Sequence, residues 1–264
     1  LNYAGLTAED YEPLLRLARD SGANLLRVWG GGLQETEAFY DLCDRLGLMV
    51  WQEFPLAACG DETTPPGDAA YLRAADDQAT AIIGKRRHHP GLVRWSGGSG
   101  LTSGPPDHEP LGSDHPALAE LRAAVETEDP QRPWTPVTPS ADPPSVPGAW
   151  EPPVVSGWLG LREHPRFYDA SRSLFHTGFG IPVLADPTAS GPLAERVRAD
   201  VSAAFGEVPA ADFPRASELL QALGLQYAVE ADRRRQGRCA GTSPWSLNES
   251  WPAVVSPAAV AHGG

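Results

Sequence analysis

The sequence predicts an α/β fold with a parallel sheet covered by helices, and three observations lead to this prediction. Short apolar runs alternate along the chain with segments of helical periodicity. These runs are apolar on both faces, which is typical of strands buried on both sides in a parallel sheet. Glycines follow both kinds of segment, where a helix stop or a strand-to-loop turn needs them.

Helices are predicted from their capping residues and from apolar spacing. Thr7–Asp10 forms a capping box that begins the first helix, and Gly22 ends it. The second helix is predicted from Glu35 to Leu46, with Gly47 as its stop. Further helices are predicted at Tyr71–Arg87, Pro116–Glu128, 191–205 and 215–235.

Strands are predicted wherever a short apolar run lies between two helices. The candidates are Asn24–Trp29, Leu48–Phe54, Leu92–Trp95, Trp134–Val137, Val154–Val155, Ser173–His176 and Thr242–Leu247. They are one short of the eight strands of a closed barrel, and the missing strand would precede Leu1. We therefore expect a (β/α)8 TIM barrel without its first strand, as a single domain over residues 1–264 cut from a longer multidomain chain. The segment 139–153 holds six prolines and is predicted to be a loop.

Composition narrows the possible partners. The formal net charge is −13, so phosphate backbones and anionic membranes are repelled, and neither nucleic acid nor membrane is an expected partner. A neutral sugar is compatible with this charge. No apolar run approaches bilayer length and no signal segment follows Leu1, so a cytoplasmic location is favoured; the oligomeric state is left open.

Cysteine and histidine spacing predicts neither a disulfide framework nor a metal site. Cys43, Cys59 and Cys239 are far apart and lack a CxxC spacing. His108 and His115 have no ligand partners at metal spacing. The basic runs Lys85–His89 and Arg233–Arg235 fall at predicted helix ends, where cations complement the helix dipole.

Five segments in order resemble the barrel of glycoside hydrolase family 2, and its β-mannosidase-like branch fits better than the β-galactosidases. They are Leu26–Gly32, Glu37–Asp44 with Leu48–Phe54, His88–Pro90, Trp95–Gly98 and Gly241–Pro252. The resemblance covers nearly the whole chain and implies a retaining β-glycosidase fold, a β-linked sugar or glycoside as ligand, and no cofactor.

The same resemblance locates two catalytic positions, and both hold glycine. Members of the family place the acid/base glutamate after the fourth strand, where this chain has Gly98-Ser99-Gly100, and the nucleophile on the seventh, where it has Thr177-Gly178-Phe179-Gly180. Gly100 and Gly178 therefore stand at the two glutamate positions, which implies impaired hydrolysis. Two alternatives stay open. The glycines could serve a bulge or turn, or they could be deliberate replacements. Ser99 and Ser156 also depart from the family pattern, and such scattered departures argue against deliberate replacement.

A set of polar and aromatic residues near strand ends could still bind a sugar. The set comprises Arg27, Trp29, Trp51, Glu53, Trp95, Ser99, His176, Trp245 and Asn248. Each has a structural alternative: the tryptophans could pack in the core, Arg27 could form a buried pair with Glu53, and His176 could be a core histidine.

Three functions compete at this point: a degenerate glycosidase with residual sugar binding, an active glycosidase with displaced carboxylates, and a non-catalytic scaffold. The second would draw on other carboxylates predicted near the carboxyl ends of strands. Those are Glu53, Asp107, Glu109, Asp186 and Glu249.

Overall fold

The computed structural model describes residues 5–58, 62–105, 107–138, 164–171, 174–249, 253–256 and 258–260. It confirms an α/β fold with parallel strands. The predicted proline-rich loop, the strand at Val154–Val155, and Ser156 lie outside the described residues. The chain divides into two compact units, one of residues 2–145 and one of residues 146–264 together with Leu1. The single closed barrel stays a prediction.

The first unit is a four-stranded parallel sheet whose order follows the chain, β1-β2-β3-β4. Each strand is followed by a helix before the next, the pattern that right-handed crossovers produce. Its elements are α1 (Ala8–Asp20), β1 (Leu25–Val28), α2 (Glu37–Leu46), β2 (Met49–Glu53), α3 (Ala69–Arg86), β3 (Leu92–Ser96), α4 (Pro116–Glu128) and β4 (Trp134–Thr135).

Local signals in the sequence set the ends of these helices. The Asp10 carboxylate accepts hydrogen bonds from the Thr7 backbone N–H and hydroxyl, each 2.8 Å long, so the predicted capping box is confirmed. Gly47 ends α2 in the left-handed conformation with φ +72°, as predicted. Helix α3 begins two residues before its predicted start because Asp68 caps it, accepting from the backbone of Ala70 and Tyr71.

The core of the first unit lies between the sheet and its helices. Trp95 on β3 is fully buried and stacks on Phe54 with ring centroids 5.3 Å apart. Tyr40 from α2, Ile83 from α3 and Leu118 from α4 are fully buried against the same cluster. Burial of each such side chain is worth about 1.5–3 kcal/mol, which is why the sheet and its helices form one unit.

The second unit has helices α5 (His164–Ala170), α6 (Pro192–Phe205) and α7 (Phe213–Arg234) and strands β5 (Phe175–Phe179), β6 (Val183–Leu184), β7 (Gly241–Pro244) and β8 (Val255–Ser256). Strand β5 pairs in parallel with β7, as expected of consecutive barrel strands. Strands β6 and β8 pair antiparallel, which the sequence did not predict because each is only two residues long.

Several predicted boundaries in the second unit are corrected. The strand expected at Ser173–His176 runs from Phe175 to Phe179, and the one expected at Thr242–Leu247 ends at Pro244. Helix α5 was not predicted, since the seven residues HPRFYDA are too short to show a helical period. Among the described helices, including the 22-residue α7, none is long and apolar enough to span a bilayer.

Candidate functional site

The carboxyl ends of β1, β2 and β3 bring together Arg27, Glu53 and Ser99. The Arg27 Nε donates to Glu53 Oε1 at 2.9 Å, and an Arg27 terminal nitrogen lies 2.9 Å from the same oxygen. The guanidinium also donates to the Ser99 hydroxyl, 3.0 Å away. Strand register explains the meeting, because Arg27 pairs with Trp51 on β2 and Glu53 pairs with Ser96 on β3. We call Arg27, Glu53 and Ser99 the polar cluster.

A glycine after β1 completes the partners of Glu53. The Gly30 N–H donates to Glu53 Oε2 at 2.9 Å, so both carboxylate oxygens are bound. A Cβ on Gly30 would lie 2.4 Å from the Phe54 carbonyl oxygen and 2.7 Å from that of Leu56. The close backbone approach therefore requires glycine at this position.

The ion pair of the polar cluster is removed from solvent. The side chain of Arg27 is 4% exposed and that of Glu53 is fully buried. Two charges in such a place persist only when each has a close partner, so the predicted structural pair is confirmed. Because both oxygens of Glu53 are already bound, the displaced-carboxylate hypothesis is weakened at this position.

Gly100 follows the polar cluster directly and adopts a left-handed backbone with φ +67°. Its N–H donates to the Thr138 carbonyl at 2.8 Å, and Ser99 before it bridges Ala57 on one side and Thr138 on the other. A Cβ at position 100 would lie 3.3 Å from the Cβ of Ala58. The backbone thus favours glycine here, in agreement with a turn, and position 100 itself offers no carboxylate.

The tryptophans of the first unit divide between core and surface. Trp95 is fully buried, and its indole N–H donates to Asp129 at 2.9 Å, so the core-packing alternative describes it. Trp51 is 6% exposed, with the Arg94 guanidinium 5.6 Å from its ring centroid. Trp29 is 37% exposed and its ring lies against the Gly31 backbone. Among these three, Trp29 has the surface that a sugar ring could contact.

In the second unit, His176 on β5 lies in a buried hydrogen-bonded chain. Its Nδ1 is 2.7 Å from an Asp232 carboxylate oxygen on α7, and its Nε2 is 2.9 Å from the Ser171 hydroxyl. Burial alone would raise the pKa of Asp232, but hydrogen bonds from His176 and Arg235 hold that pKa below its ordinary value. The core-histidine alternative therefore describes His176, since its polar atoms are bound and its ring is enclosed.

Ser171 and Asp232 lie 5 and 56 residues from His176. The sequence could not link them to it, because contacts made by tertiary packing have no characteristic spacing. Cys239 brings a third possible metal ligand within 4.8 Å of His176 and Asp232. Burial raises the pKa of the Cys239 thiol and so disfavours the thiolate that binds a metal ion, which makes this group poorly suited to one.

Gly178, which the family resemblance predicts to stand at the nucleophile position, lies within β5 two residues after His176. The neighbouring Phe179 carbonyl accepts from the Trp245 backbone N–H at 2.7 Å. Trp245 is partly buried, while Asn248 is exposed and its backbone bridges Val260. Trp245 and Asn248 thus follow the end of β7, although Trp245 was expected inside this strand, and their contact with a sugar stays a prediction.

The remaining candidate carboxylates are on exposed loops or engaged locally. Asp186 is exposed and accepts from the Thr188 N–H at 2.8 Å and its hydroxyl at 2.7 Å, which lowers the Asp186 pKa. Asp107 and Glu109 are exposed, and Glu249 is partly buried. Asp186 is thus an ionised turn residue, and its pKa is shifted away from the raised value that a general acid needs.

Structural comparison first defines the class. A β-D-mannosidase from Dictyoglomus thermophilum superimposes with a TM-score of 0.80 at 25% identity, over 97% of this chain and 34% of that one. The β-glucuronidase 3 of Bacteroides uniformis gives a TM-score of 0.62 at 19% identity, over 98% of this chain and 33% of that one, which supports the fold alone. The chain is β-glycosidase-like in fold.

Sequence comparison then gives the particular relatives. No family model matches the chain. It is 26% identical over 298 residues to the β-mannosidase B of Neosartorya fischeri, covering 94% of this chain and 34% of the relative. Over 92 residues, 35% of this chain and 10% of the relative, it is 40% identical to the β-mannosidase of Rattus norvegicus. These findings support the β-mannosidase-like domain that the resemblance to glycoside hydrolase family 2 implied, and the chain spans about a third of the length of the first of these relatives.

Proposed function

We propose that the chain belongs to the barrel of a β-mannosidase-like glycosidase in which Gly100 and Gly178 occupy the acid/base and nucleophile positions. It binds a β-linked glycoside and does not hydrolyse it at an ordinary enzymatic rate. The observation that supports this most is the polar cluster beside Gly100: a buried Arg27–Glu53 pair holds Ser99 in place, and the next residue has no side chain.

The missing groups account for the expected loss of rate. A positioned general acid or base contributes about 10²–10⁴-fold, and without a nucleophile the covalent route is lost altogether. The two losses act on one reaction path and are not summed. Within the described residues, Glu53 and Asp186 are bound in other interactions, so neither replaces a missing glutamate.

The decisive test restores the glutamates one at a time and measures release of the aryl group from an activated aryl β-mannoside. A good leaving group needs little acid, so Gly178→Glu alone should give a burst of aryl release while the unmodified chain and Gly100→Glu stay at background. The pair Gly100→Glu/Gly178→Glu should turn over steadily. Gly178→Gln is the matched control, because it has the same shape without a nucleophile.

Two results would refute the proposal. One is turnover by the unmodified chain at about 1 s⁻¹ or faster, in the ordinary enzymatic range. The other is a burst from Gly178→Gln equal to that from Gly178→Glu. The left-handed backbone of Gly100 puts strain of about 1–2 kcal/mol on any side chain there, so each variant is also checked for folding by circular dichroism.

Sugar binding is tested separately by calorimetry with a non-hydrolysable β-mannoside. Trp29→Ala should weaken binding by about 2- to 10-fold if its partly exposed ring stacks on the sugar, a loss in the range of one aromatic contact. Leu33→Ala is the control, since Leu33 is 66% exposed and lies on the same loop after β1.

A second candidate is a scaffold module without sugar affinity, and the burial of the polar cluster favours it. Arg27 and Glu53 are bound to each other and to the protein, so their presence is accounted for without a ligand. Absence of calorimetric binding to mannosides, galactosides and glucuronides would support the scaffold, and saturable binding to any one of them would exclude it.

A further inference from the structure

A second polar group of the first unit lies before β3, whereas the polar cluster follows the carboxyl ends of the strands. Glu37 is the first residue of α2, and His88 and His89 follow the end of α3 just before β3. Glu37 Oε1 is 3.2 Å from His88 Nε2 and 3.0 Å from His89 Nε2. We call these three residues the histidine cluster; one ligand atom from each lies within 4.8 Å of the others.

The His89 ring is oriented by Asp44. Its Nδ1 is 2.8 Å from an Asp44 carboxylate oxygen, and the other oxygen of Asp44 accepts from the Gly91 N–H at 2.7 Å. Because a carboxylate only accepts, the His89 Nδ1 donates its proton to Asp44, and Nε2, 3.0 Å from Glu37 Oε1, is the ring nitrogen left to hold a proton or a metal ion. A carboxylate that orients a histidine in this way is the usual outer partner of a metal-binding imidazole.

The Glu37 carboxylate is divided between two kinds of partner. Its Oε2 contacts the Arg86 guanidinium, which also donates to the Glu35 carbonyl at 2.8 Å and lies 4.4 Å from the Tyr40 ring centroid. Its Oε1 faces the two imidazoles. A lone pair on His89 Nε2 that faces a carboxylate oxygen is repulsive unless a cation, either a proton or a metal ion, lies between them. A second imidazole at the same oxygen favours an ion that all three atoms can share.

We propose that the histidine cluster binds a divalent transition-metal ion, with Zn²⁺ as the probe, through one oxygen and two imidazole nitrogens. Zn²⁺ bonds to such donors are about 2.0–2.2 Å long, so donor pairs 3.0–3.2 Å apart subtend about 90–100° at the ion. Only a small opening is needed for tetrahedral angles, and the exposed His88 side chain has room to supply it. Imidazole donors suit Zn²⁺, Cu²⁺ and Ni²⁺ better than Mg²⁺ or Ca²⁺.

The position of the cluster gives the ion a structural role. The ion would join the start of α2 to the α3–β3 connection, two parts of the first unit that are 51 residues apart in sequence. The histidine cluster shares no residue with the polar cluster at the carboxyl ends of the strands. Zn²⁺ binding here is therefore independent of the glycosidase proposal, and its test does not use activity.

The experiment titrates ZnCl2 into the full chain by calorimetry, with the thermal midpoint followed in parallel. The unmodified chain should show a saturable site and a higher thermal midpoint with Zn²⁺. His88→Asn and Glu37→Gln should weaken this binding by at least about 10-fold, and Asp44→Asn by about 10- to 100-fold through loss of the His89 orientation. His108→Asn is the matched control: His108 is exposed, lies outside the cluster, and should leave binding unchanged.

The outcomes separate cleanly. Binding that weakens in His88→Asn and Glu37→Gln but not in His108→Asn supports the site. The proposal is overturned if saturable Zn²⁺ binding is not observed. It is also overturned if the affinity is the same in His88→Asn and Glu37→Gln as in the unmodified chain, which would place the ion elsewhere. The side chain of His88 is 61% exposed, so His88→Asn does not threaten folding, and Glu37→Gln, which keeps the size of a half-exposed side chain, is checked for folding by circular dichroism.

Discussion

Replacing Glu53 by glutamine should strongly destabilise the first unit, although the two side chains have nearly the same size and shape. The substitution keeps the size of the side chain and removes the negative charge that faces the guanidinium of Arg27, a side chain only 4% exposed. Two unit charges 2.9 Å apart attract by about 6 kcal/mol at an effective dielectric constant near 20. Part of this attraction offsets desolvation, and breaking a buried pair from one side costs about 3–5 kcal/mol in practice.

Urea denaturation at neutral pH measures this cost. With a slope of about 2 kcal/mol per molar urea, the midpoint should fall by about 1.5–2.5 M. Glu12→Gln is the control, because Glu12 and Arg16 form a pair at 2.5 Å with side chains 40% and 50% exposed, and such surface pairs contribute about 0.5 kcal/mol or less. The reasoning is refuted if Glu53→Gln lowers the midpoint no more than Glu12→Gln does.

A double substitution tests the same argument from the other side. Arg27→Met/Glu53→Leu removes both charges, so neither is left buried alone. Its loss of unfolding free energy should be smaller than that of Glu53→Gln, by about 1–3 kcal/mol, because a buried pair can be replaced by apolar groups at little cost. A larger loss in the double variant would mean that the pair itself, rather than a single unbalanced charge, determines stability.

Two further predictions concern a glycine and a carboxylate. Gly100→Ala should lower the unfolding free energy by more than Gly47→Ala in urea titrations. Both positions have positive φ, but an added Cβ would lie 3.3 Å from Ala58 at position 100 and would have no atom within 4 Å at position 47. Equal losses would contradict the crowding argument. The folded-state pKa of Asp232 lies below its unfolded value, so its contribution is complete above about pH 4 and is lost as the pH falls through the folded pKa. Asp232→Asn should therefore lower the unfolding free energy by about 2–3 kcal/mol at about pH 6, where hydrogen bonds to the charged group are lost, and by less at about pH 3. Thermal unfolding across this pH range measures the difference. A loss independent of pH would count against the His176–Asp232 linkage.

The local order of the first unit could be predicted from the sequence because it depends on neighbouring residues. The capping box at Thr7, the stop at Gly47 and the apolar run of β2 each act within a few positions of the chain. The alternation of these signals predicted the α/β class and the parallel sheet. Helix α5 and the pair β6–β8 were missed, since elements this short show too little periodicity to be distinguished from loop.

The candidate site could be predicted only in part from the sequence, and the tertiary structure supplied the rest. The family resemblance predicted that Gly100 and Gly178 stand at the two glutamate positions, and this stays a prediction. The need of a buried charge for a partner linked Arg27 to Glu53 from the sequence alone. Only the tertiary structure decided that Trp95 is core and that Gly30 donates to Glu53.

Packing also decided the contacts between distant parts of the chain. It joined Asp232 to His176 across 56 residues, and Glu37 to His88 and His89 across 51 and 52 residues. Periodicity and capping are local, whereas partners brought together by packing have no fixed spacing in the sequence, and that is why the folded chain alone could identify them.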